Sequence, residues 1–395
     1  MYKNNRVCDY KLCTGCEACK NICPKQCIMM IEDTLGNIKA AINLNSCISC
    51  GLCKKICPVN KPVEFNKVIV CFAAVRKNRN ELKRCASGGI ATLLMEQCFL
   101  NGFKVFGSRF DEKMQPRVME LLRREDIEHF KGSLYVQSFV GNAFSMIKNY
   151  LNSNESVLFV GTPCQVAGLR SFLQKKYTRL VCCDLFCHGV SPYSYLEQEL
   201  KYLNKGKITN ITFRGYHAKE DHWLTLWDGT DKVFKQAGIV NYYLKAFYDC
   251  VTLRDNCYMC RYATDVRIGD ISLGDFLGLK QAAGDKFVTN CVTAVLINTP
   301  NGEALFNEIK KSVDYIERPC EEVVAGGPSL QHPSKRPKTR DRFEKYYSDL
   351  GYSKSVRKAL FNRMIIANIN RYLLFIARRL KRLKIRILTL KGKDK

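Results

Sequence analysis

Eight cysteines near the start of the chain fall into two runs, CTGCEACKNICP (Cys13, Cys16, Cys19, Cys23) and CISCGLCKKICP (Cys47, Cys50, Cys53, Cys57). Three cysteines at i, i+3 and i+6, with a fourth just before a proline, have the spacing that wraps a 4Fe–4S cluster. Structural zinc sites instead use two separated C-x2-C pairs. The chemistry indicated is electron transfer. The runs agree at seven of twelve positions, so they form an internal repeat. In such a repeat the fourth cysteine crosses to the other cluster. Cys13, Cys16, Cys19 and Cys57 are expected around one cluster, and Cys47, Cys50, Cys53 and Cys23 around the other. Cys8 and Cys27 fall outside the pattern and read as small buried hydrophobes.

A second set lies downstream: Cys164 in GTPCQ, Cys187 in FCHG, and Cys257 with Cys260 in CYMC. Cys164 is expected at a strand-to-helix turn, where free backbone N–H groups and the positive helix end would stabilise thiolates and sulfides. Spacing alone leaves two readings open. One is a third 4Fe–4S site; the other is a redox-active Cys164 with zinc on Cys257 and Cys260. Five histidines are present and none forms a metal pair; His188 sits beside Cys187, and His217 and His222 bracket a polar loop.

The elements that must hold these residues alternate between strand and helix. Short strands flank a turn at Leu35-Gly36-Asn37, and Pro58 to Pro62 reads as a stiff linker. VIVCFAAV (68–75), VLFVG (157–161), LVCCDLFC (180–187) and VTAVLIN (292–298) are buried-strand runs. Helices are expected at 90–100 after Ser87-Gly88-Gly89, from Cys164 to Leu173, from Ser191-Pro192 to about Leu203, and after Thr299-Pro300. Residues 326–342 read as a loop-rich segment. The fold class is α+β, or mixed α/β, with four parts expected: a ferredoxin-like domain (1–62), two regions of a larger mixed-sheet domain (68–155 and 156–345), and a basic helical tail (350–395).

GTPCQVAGLR (161–170), DLFCHGVSP (184–192), CYMCRYATDVRIGDISLGDFLG (257–278) and SGGIATLL (87–94) together resemble segments of the coenzyme F420 hydrogenase/dehydrogenase beta-subunit family. The likeness spans about residues 1–345 and includes the fused two-cluster module that some members carry. That family consists of iron–sulfur flavoproteins. The resemblance implies that Cys164, Cys187, Cys257 and Cys260 hold a third cluster beside FAD. It points to Ser87, Gly88 and Gly89 as a pyrophosphate-binding helix start, the alternative being an ordinary capped turn. It also brings in Gly274, with Asp270 and Asp275 able to bond ribityl or ring atoms; the alternative is turn chemistry of the aspartates. Arg214, Lys83 and Arg84 could neutralise phosphate. It further implies an oxidoreductase whose partner is a ferredoxin or a deazaflavin. At the other end stands a small molecule, either coenzyme F420 or an intermediate of polysaccharide synthesis. The alternative is a non-catalytic electron-transfer subunit.

Bulk properties fit this reading. With 22 cysteines and no apolar leader in MYKNNRVCDYKL, reduced thiols in the cytoplasm of an anaerobe are expected. The formal charge is +26, which three clusters would bring to about +20. Residues 354–395 carry fourteen Lys or Arg against one Asp. Within them Phe361, Ile365, Ile369, Tyr372, Ile376, Leu380 and Leu383 recur at helical spacing. Such a helix would lie on the anionic inner face of a membrane, or pack on the body or a partner. No Walker motif, serine-nucleophile elbow or nucleic-acid-reading pattern is present, so nucleic acid is not an expected partner.

Overall fold

The structure is a computed structural model that describes residues 5–214, 222–280, 287 and 291–391, with side chains described as far as Leu373. His217 lies outside the described residues.

The first part is built on a hairpin of β1 (Ile28–Glu32) and β2 (Ile38–Ile42), which pair from Ile28–Ile42 to Glu32–Ile38. Asp33 closes the expected turn by accepting the N–H groups of Leu35 and Asn37, both at 2.9 Å. One short helix lies in each cysteine run, α1 (Ala18–Ile22) and α2 (Leu52–Lys55).

The larger part is an eight-stranded sheet. Its strands are β3 (Val70–Arg76), β4 (Lys104–Phe110), β5 (Pro116–Glu120), β6 (Val157–Gly161), β7 (Leu180–Leu185), β11 (Ile271–Asp275), β12 (Thr293–Ile297) and β13 (Val313–Arg318). They lie in the order β13-β3-β12-β11-β7-β6-β4-β5. β4, β6, β7 and β11 run parallel, and β12, β13 and β5 pair antiparallel to their neighbours. A sheet buried on both faces selects continuous apolar strands. In β6, Leu158 and Val160 join one core while Val157 and Phe159 join the other. α4 (Ile90–Leu100) and α9 (Pro300–Ile309) cover the first face. α5 (Ala143–Asn152) and α6 (Pro163–Leu173) cover the second, together with Cys16, Ala18 and Ile56 of the cysteine runs.

A second sheet of β8 (Asn210–Thr212), β9 (Trp223–Asp228) and β10 (Asp231–Ala237) has the order β10-β9-β8. It shares a core with α7 (Tyr193–Leu203), α8 (Tyr242–Tyr248) and α11 (Lys338–Lys391), the last broken by a kink at Gly351 (φ 66°). Two short helices, α3 (Arg79–Leu82) and α10 (Cys320–Gly326), complete the set.

Three expectations change. The loop-rich segment at 326–342 is shorter than expected, because α11 begins at Lys338 and a 3-10 turn spans Pro328–Leu330. Cys71 and Cys320 are joined in a disulfide where β3 and α10 bring their Cα atoms to 5.4 Å, so not every thiol is reduced. Among the described side chains, the apolar stripe of the tail does not pack on the body. α11 buries Val356, Leu360 and Met364, which leaves Phe361, Ile365, Ile369 and Tyr372 45–66% exposed. Ile376, Leu380 and Leu383 are beyond the described side chains.

Candidate iron–sulfur relay

Two cavities stand in the first part of the chain. One is lined by Cys13, Cys16 and Cys19 of the first run and by Cys57 of the second. The other is lined by Cys47, Cys50 and Cys53 and by Cys23. The thiols meet in the crossed combination expected from the repeat. Each run bends around its cavity through a left-handed residue just before its helix, Glu17 (φ 58°) and Gly51 (φ 72°). Glu17 is held there because its carboxylate accepts the N–H groups of Val140 (2.8 Å) and Gly141 (3.2 Å) at the entry to α5. The cavities adjoin, since the charge of Cys53 bears on Cys19. Among the described residues, no three Cys, His, Asp or Glu side chains converge on a point that would hold a single metal ion.

Sequence spacing misplaced two cysteines. Cys8 lines the first cavity and Cys27 the second, so each holds five thiols. The Cys8 S–H bonds to Cys13 and Cys57, and this is the leading reason their thiols drop to about 5 and about 7. Thiolate is the ligating form, so the cavity favours metal binding. Cys16 opposes this, pushed up to about 12 by burial.

Arg254 is fully buried, at 0% exposure. Its guanidinium donates to the Cys13 carbonyl (3.0 Å), the Ile38 carbonyl (2.8 Å), Asn256 Oδ1 (3.1 Å) and Gln137 Oε1. All four acceptors are neutral. Among the described residues no carboxylate pairs with it. A buried cation without a counter-ion costs several kcal/mol. The anionic partner that this site calls for is a group held on the adjacent thiolates, and a 4Fe–4S cluster on four cysteines carries net negative charge.

The second cysteine set gathers behind Arg254. Thr162 and Gln165 form a capping box that opens α6, and Pro163 occupies its first turn, so Cys164 stands in that turn. Cys187 follows β7 directly. Cys257 sits in the 3-10 turn Asp255–Met259 and Cys260 just after it. Burial raises the Cys187 thiol first, and the charges of Cys257, Cys164 and Cys260 raise it further. Burial likewise takes Cys257 to about 11 and Cys260 to about 12, with Cys164 contributing to both. Four thiols from three distant segments therefore share one site. It touches the first cavity through α6. A Cβ on Gly168 would come within 3.0 Å of the Cys16 Sγ, so only glycine allows the close approach, and Cys164 lies one turn away on the same helix.

Behind Cys187, Asp184 and Arg267 form a fully buried ion pair at 2.6 Å. Asn298 and Ser272 extend it, their side chains 2.8 Å apart. The network clamps β7 to β11 and β12.

The residues expected at a flavin divide. Arg214 pairs with Asp275 at 2.8 Å at the carboxyl end of β11. Parallel sheets place ligands at that edge. Tyr135 and Tyr248 bear on this pair. Tyr135 stacks on Phe247 at 4.6 Å, and Phe247 meets the His188 ring, also at 4.6 Å. An aromatic patch thus runs from the neighbour of Cys187 to Arg214. Tyr135, Phe247 and Tyr248 escaped the sequence reading because no spacing links them; the loop before α5 meets α8 only in the fold, where Tyr243 Oη donates to the Tyr135 carbonyl at 2.8 Å. Asp270 belongs elsewhere. Its carboxylate accepts from Arg170 (3.1 Å), Cys182 N–H (2.8 Å) and Thr299 (2.9 Å) at the opposite end of β11, which leaves it tied to the protein. Gly274 is glycine because the Phe186 ring lies on it. Gly88 donates its N–H to Thr293 Oγ1 (2.9 Å) and its carbonyl accepts from Arg76 (2.8 Å), so it binds strands β12 and β3. Ser87 reaches the Val292 carbonyl at 3.4 Å. Gly89 leaves α4 without a side-chain cap. Arg84 pairs with Glu81 and Glu128.

Residues 154–322 match the family model for the C terminus of the coenzyme F420 hydrogenase/dehydrogenase beta subunit, and residues 12–61 match a 4Fe–4S dicluster domain. The chain thus resembles this beta-subunit family over its central part, fused to a dicluster domain. No curated protein matches it. A solved chain from the F420-reducing nickel–iron hydrogenase complex of Methanosarcina barkeri is 20% identical, over 75% of this chain and 92% of that one, with a TM-score of 0.46. The dicluster match makes the chain an iron–sulfur redox protein. The beta-subunit match contains Cys164, Cys187, Arg214, Cys257, Cys260 and Asp275, whereas Ser87, Gly88 and Gly89 lie outside both matched spans.

Proposed function

We propose that the chain is an iron–sulfur flavoprotein oxidoreductase with three 4Fe–4S sites. Cys47, Cys50, Cys53 and Cys23 would hold the outermost, Cys13, Cys16, Cys19 and Cys57 the next, and Cys164, Cys187, Cys257 and Cys260 the innermost. FAD would bind along the aromatic patch at the carboxyl edge of the sheet, beside Arg214 and Asp275. When bound, the clusters exchange single electrons and the flavin exchanges pairs with a small molecule. The protein's own contribution is placement. Gly168 brings the second and third thiol sets within one helical turn, roughly 6 Å along α6. Arg254 offers a fixed positive charge to both. The Asp184–Arg267 clamp fixes the strand ends that carry Cys187 and Asp275.

The observation that carries this reading is the meeting of Cys164, Cys187, Cys257 and Cys260 one turn from Cys16. Anaerobic purification with iron, sulfide and flavin analysis tests it. About twelve iron atoms and one FAD per chain are expected. Full iron without flavin would instead make the chain a non-catalytic carrier of electrons for a larger complex. Reduced ferredoxin is the proposed electron source for an intermediate of polysaccharide synthesis; rapid flavin reduction by coenzyme F420 alone would assign it to deazaflavin chemistry.

The exposed stripe of α11 supports a peripheral contact with anionic lipid. No helix among the described residues is long and apolar enough to cross a membrane. Phe361, Ile365, Ile369 and Tyr372 face solvent on a helix whose remaining sequence is rich in Arg and Lys. Each basic residue near such a surface contributes about 1 kcal/mol. Flotation with vesicles of anionic lipid should be lost on truncation after Ala367, and binding that survives truncation would remove this proposal.

A further inference from the structure

The two thiols left over from the repeat occupy matching places. Cys8 lines the same cavity as Cys13, the first cysteine of its run, and Cys57, the cysteine that crosses over. Cys27 lines the other cavity with Cys47, the first cysteine of that run, and Cys23, the one that crosses back, with Sγ atoms of Cys23 and Cys27 3.3 Å apart. The sequence gives no hint of this equivalence. Cys8 precedes its run by five residues, whereas Cys27 follows Cys23 by four. The fold nevertheless sets each beside the same corner of its cavity, between the same two kinds of neighbour, and each lines the cavity wall.

We propose that Cys8 and Cys27 are replacement ligands, each able to take the iron otherwise held by the first or the crossing cysteine of its cavity. This rests on the cavities holding 4Fe–4S clusters. In the exchange the incoming thiol loses its proton to solvent as its sulfur bonds iron. The outgoing thiolate leaves and takes up a proton, so no electron is transferred and charge is conserved. Substitution of the nearby cysteine leaves the position open without an outgoing group. In the second cavity the built-in spare suits a site at the surface, where Cys50 is exposed and open to oxidative loss.

The test uses the full chain, purified anaerobically, with iron and sulfide counts and low-temperature electron paramagnetic resonance after reduction. Wild type fixes the reference; iron-free wild type would overturn the cluster reading itself. Cys13→Ala is expected to keep the wild-type iron count and a four-iron signal. Cys8→Ala with Cys13→Ala is expected to lose about four irons. Cys16→Ala, whose thiol is wedged against Gly168 at another part of the wall, is expected to lose its cluster even with Cys8 present. The second cavity gives an independent pair, Cys47→Ala against Cys27→Ala with Cys47→Ala, should the first variants fold poorly. In Cys13→Ala, alkylation followed by mass spectrometry should find Cys8 protected. Equal iron loss in the single and double variants of both cavities, or free alkylation of Cys8 in a cluster-loaded Cys13→Ala protein, would overturn the proposal.

Discussion

Replacing Arg254 by methionine removes a buried positive charge while keeping much of the side-chain volume. The guanidinium satisfies carbonyl oxygens of Cys13 and Ile38 and two amide oxygens, at distances of 2.8–3.1 Å where the geometry is ordinary. Buried acceptors left without a donor cost about 1–3 kcal/mol each, and relief of the cation's own desolvation offsets part of this. A net loss of about 3–5 kcal/mol is expected. The electrical consequence is more diagnostic. For an assumed separation of roughly 8 Å and an effective dielectric near 20, one unit charge contributes about 2 kcal/mol. For a single electron that corresponds to about 90 mV. A positive charge favours the reduced form, so Arg254→Met should lower the potential of the nearer cluster by about that amount. Arg254→Lys should lose stability yet keep most of the potential. Redox titration followed by electron paramagnetic resonance measures both variants. A potential in Arg254→Met that is unchanged or raised would refute the idea that this cation faces an anionic cluster.

Gly168→Leu should force α6 away from Cys16, cost about 1–3 kcal/mol, and slow electron passage between the second and third sites in stopped-flow reduction. Asp184→Asn leaves Arg267 buried without its partner and should cost about 3–5 kcal/mol in chemical denaturation, with the carboxyl edge of the sheet loosened as β7 and β11 separate. Glu81 has a pKa below its ordinary 4.5; burial pushes it upward, and Lys131 and Arg84 more than offset this. Its contribution is therefore present above about pH 4.5 and is lost as pH falls through the lowered folded value. Glu81→Gln should lower the urea midpoint at about pH 7 and have little effect at about pH 3. An equal effect at both would show that the ion pairs add nothing.

The cysteine repeat was legible because cluster ligation imposes short fixed spacings within one run, and the crossing of Cys23 and Cys57 follows from the repeat itself. Strands such as Val157–Gly161 were legible because burial on both faces permits only apolar residues. The flavin-side residues were not. Asp270 and Asp275 look alike in sequence, yet β11 carries them to opposite ends, one bound up with Arg170 and Thr299 and the other beside Arg214. Gly88 and Gly274 read as ligand-facing glycines, but they are small because Thr293 and Phe186 approach them. Packing constraints and ligand constraints select the same residue.

Local spacing by itself determined that this chain handles electrons through iron and sulfur, since each ligand run needs only its own few residues to announce itself. Where those centres meet was decided by the tertiary structure. Parallel strands deliver Cys164, Cys187 and Asp275 to one edge from far apart in the chain, α6 presses Gly168 against Cys16, and the folded hairpin sets Cys8 and Cys27 beside thiols they could not be assigned to from sequence. These contacts arise from register and packing between segments, quantities that no linear pattern encodes.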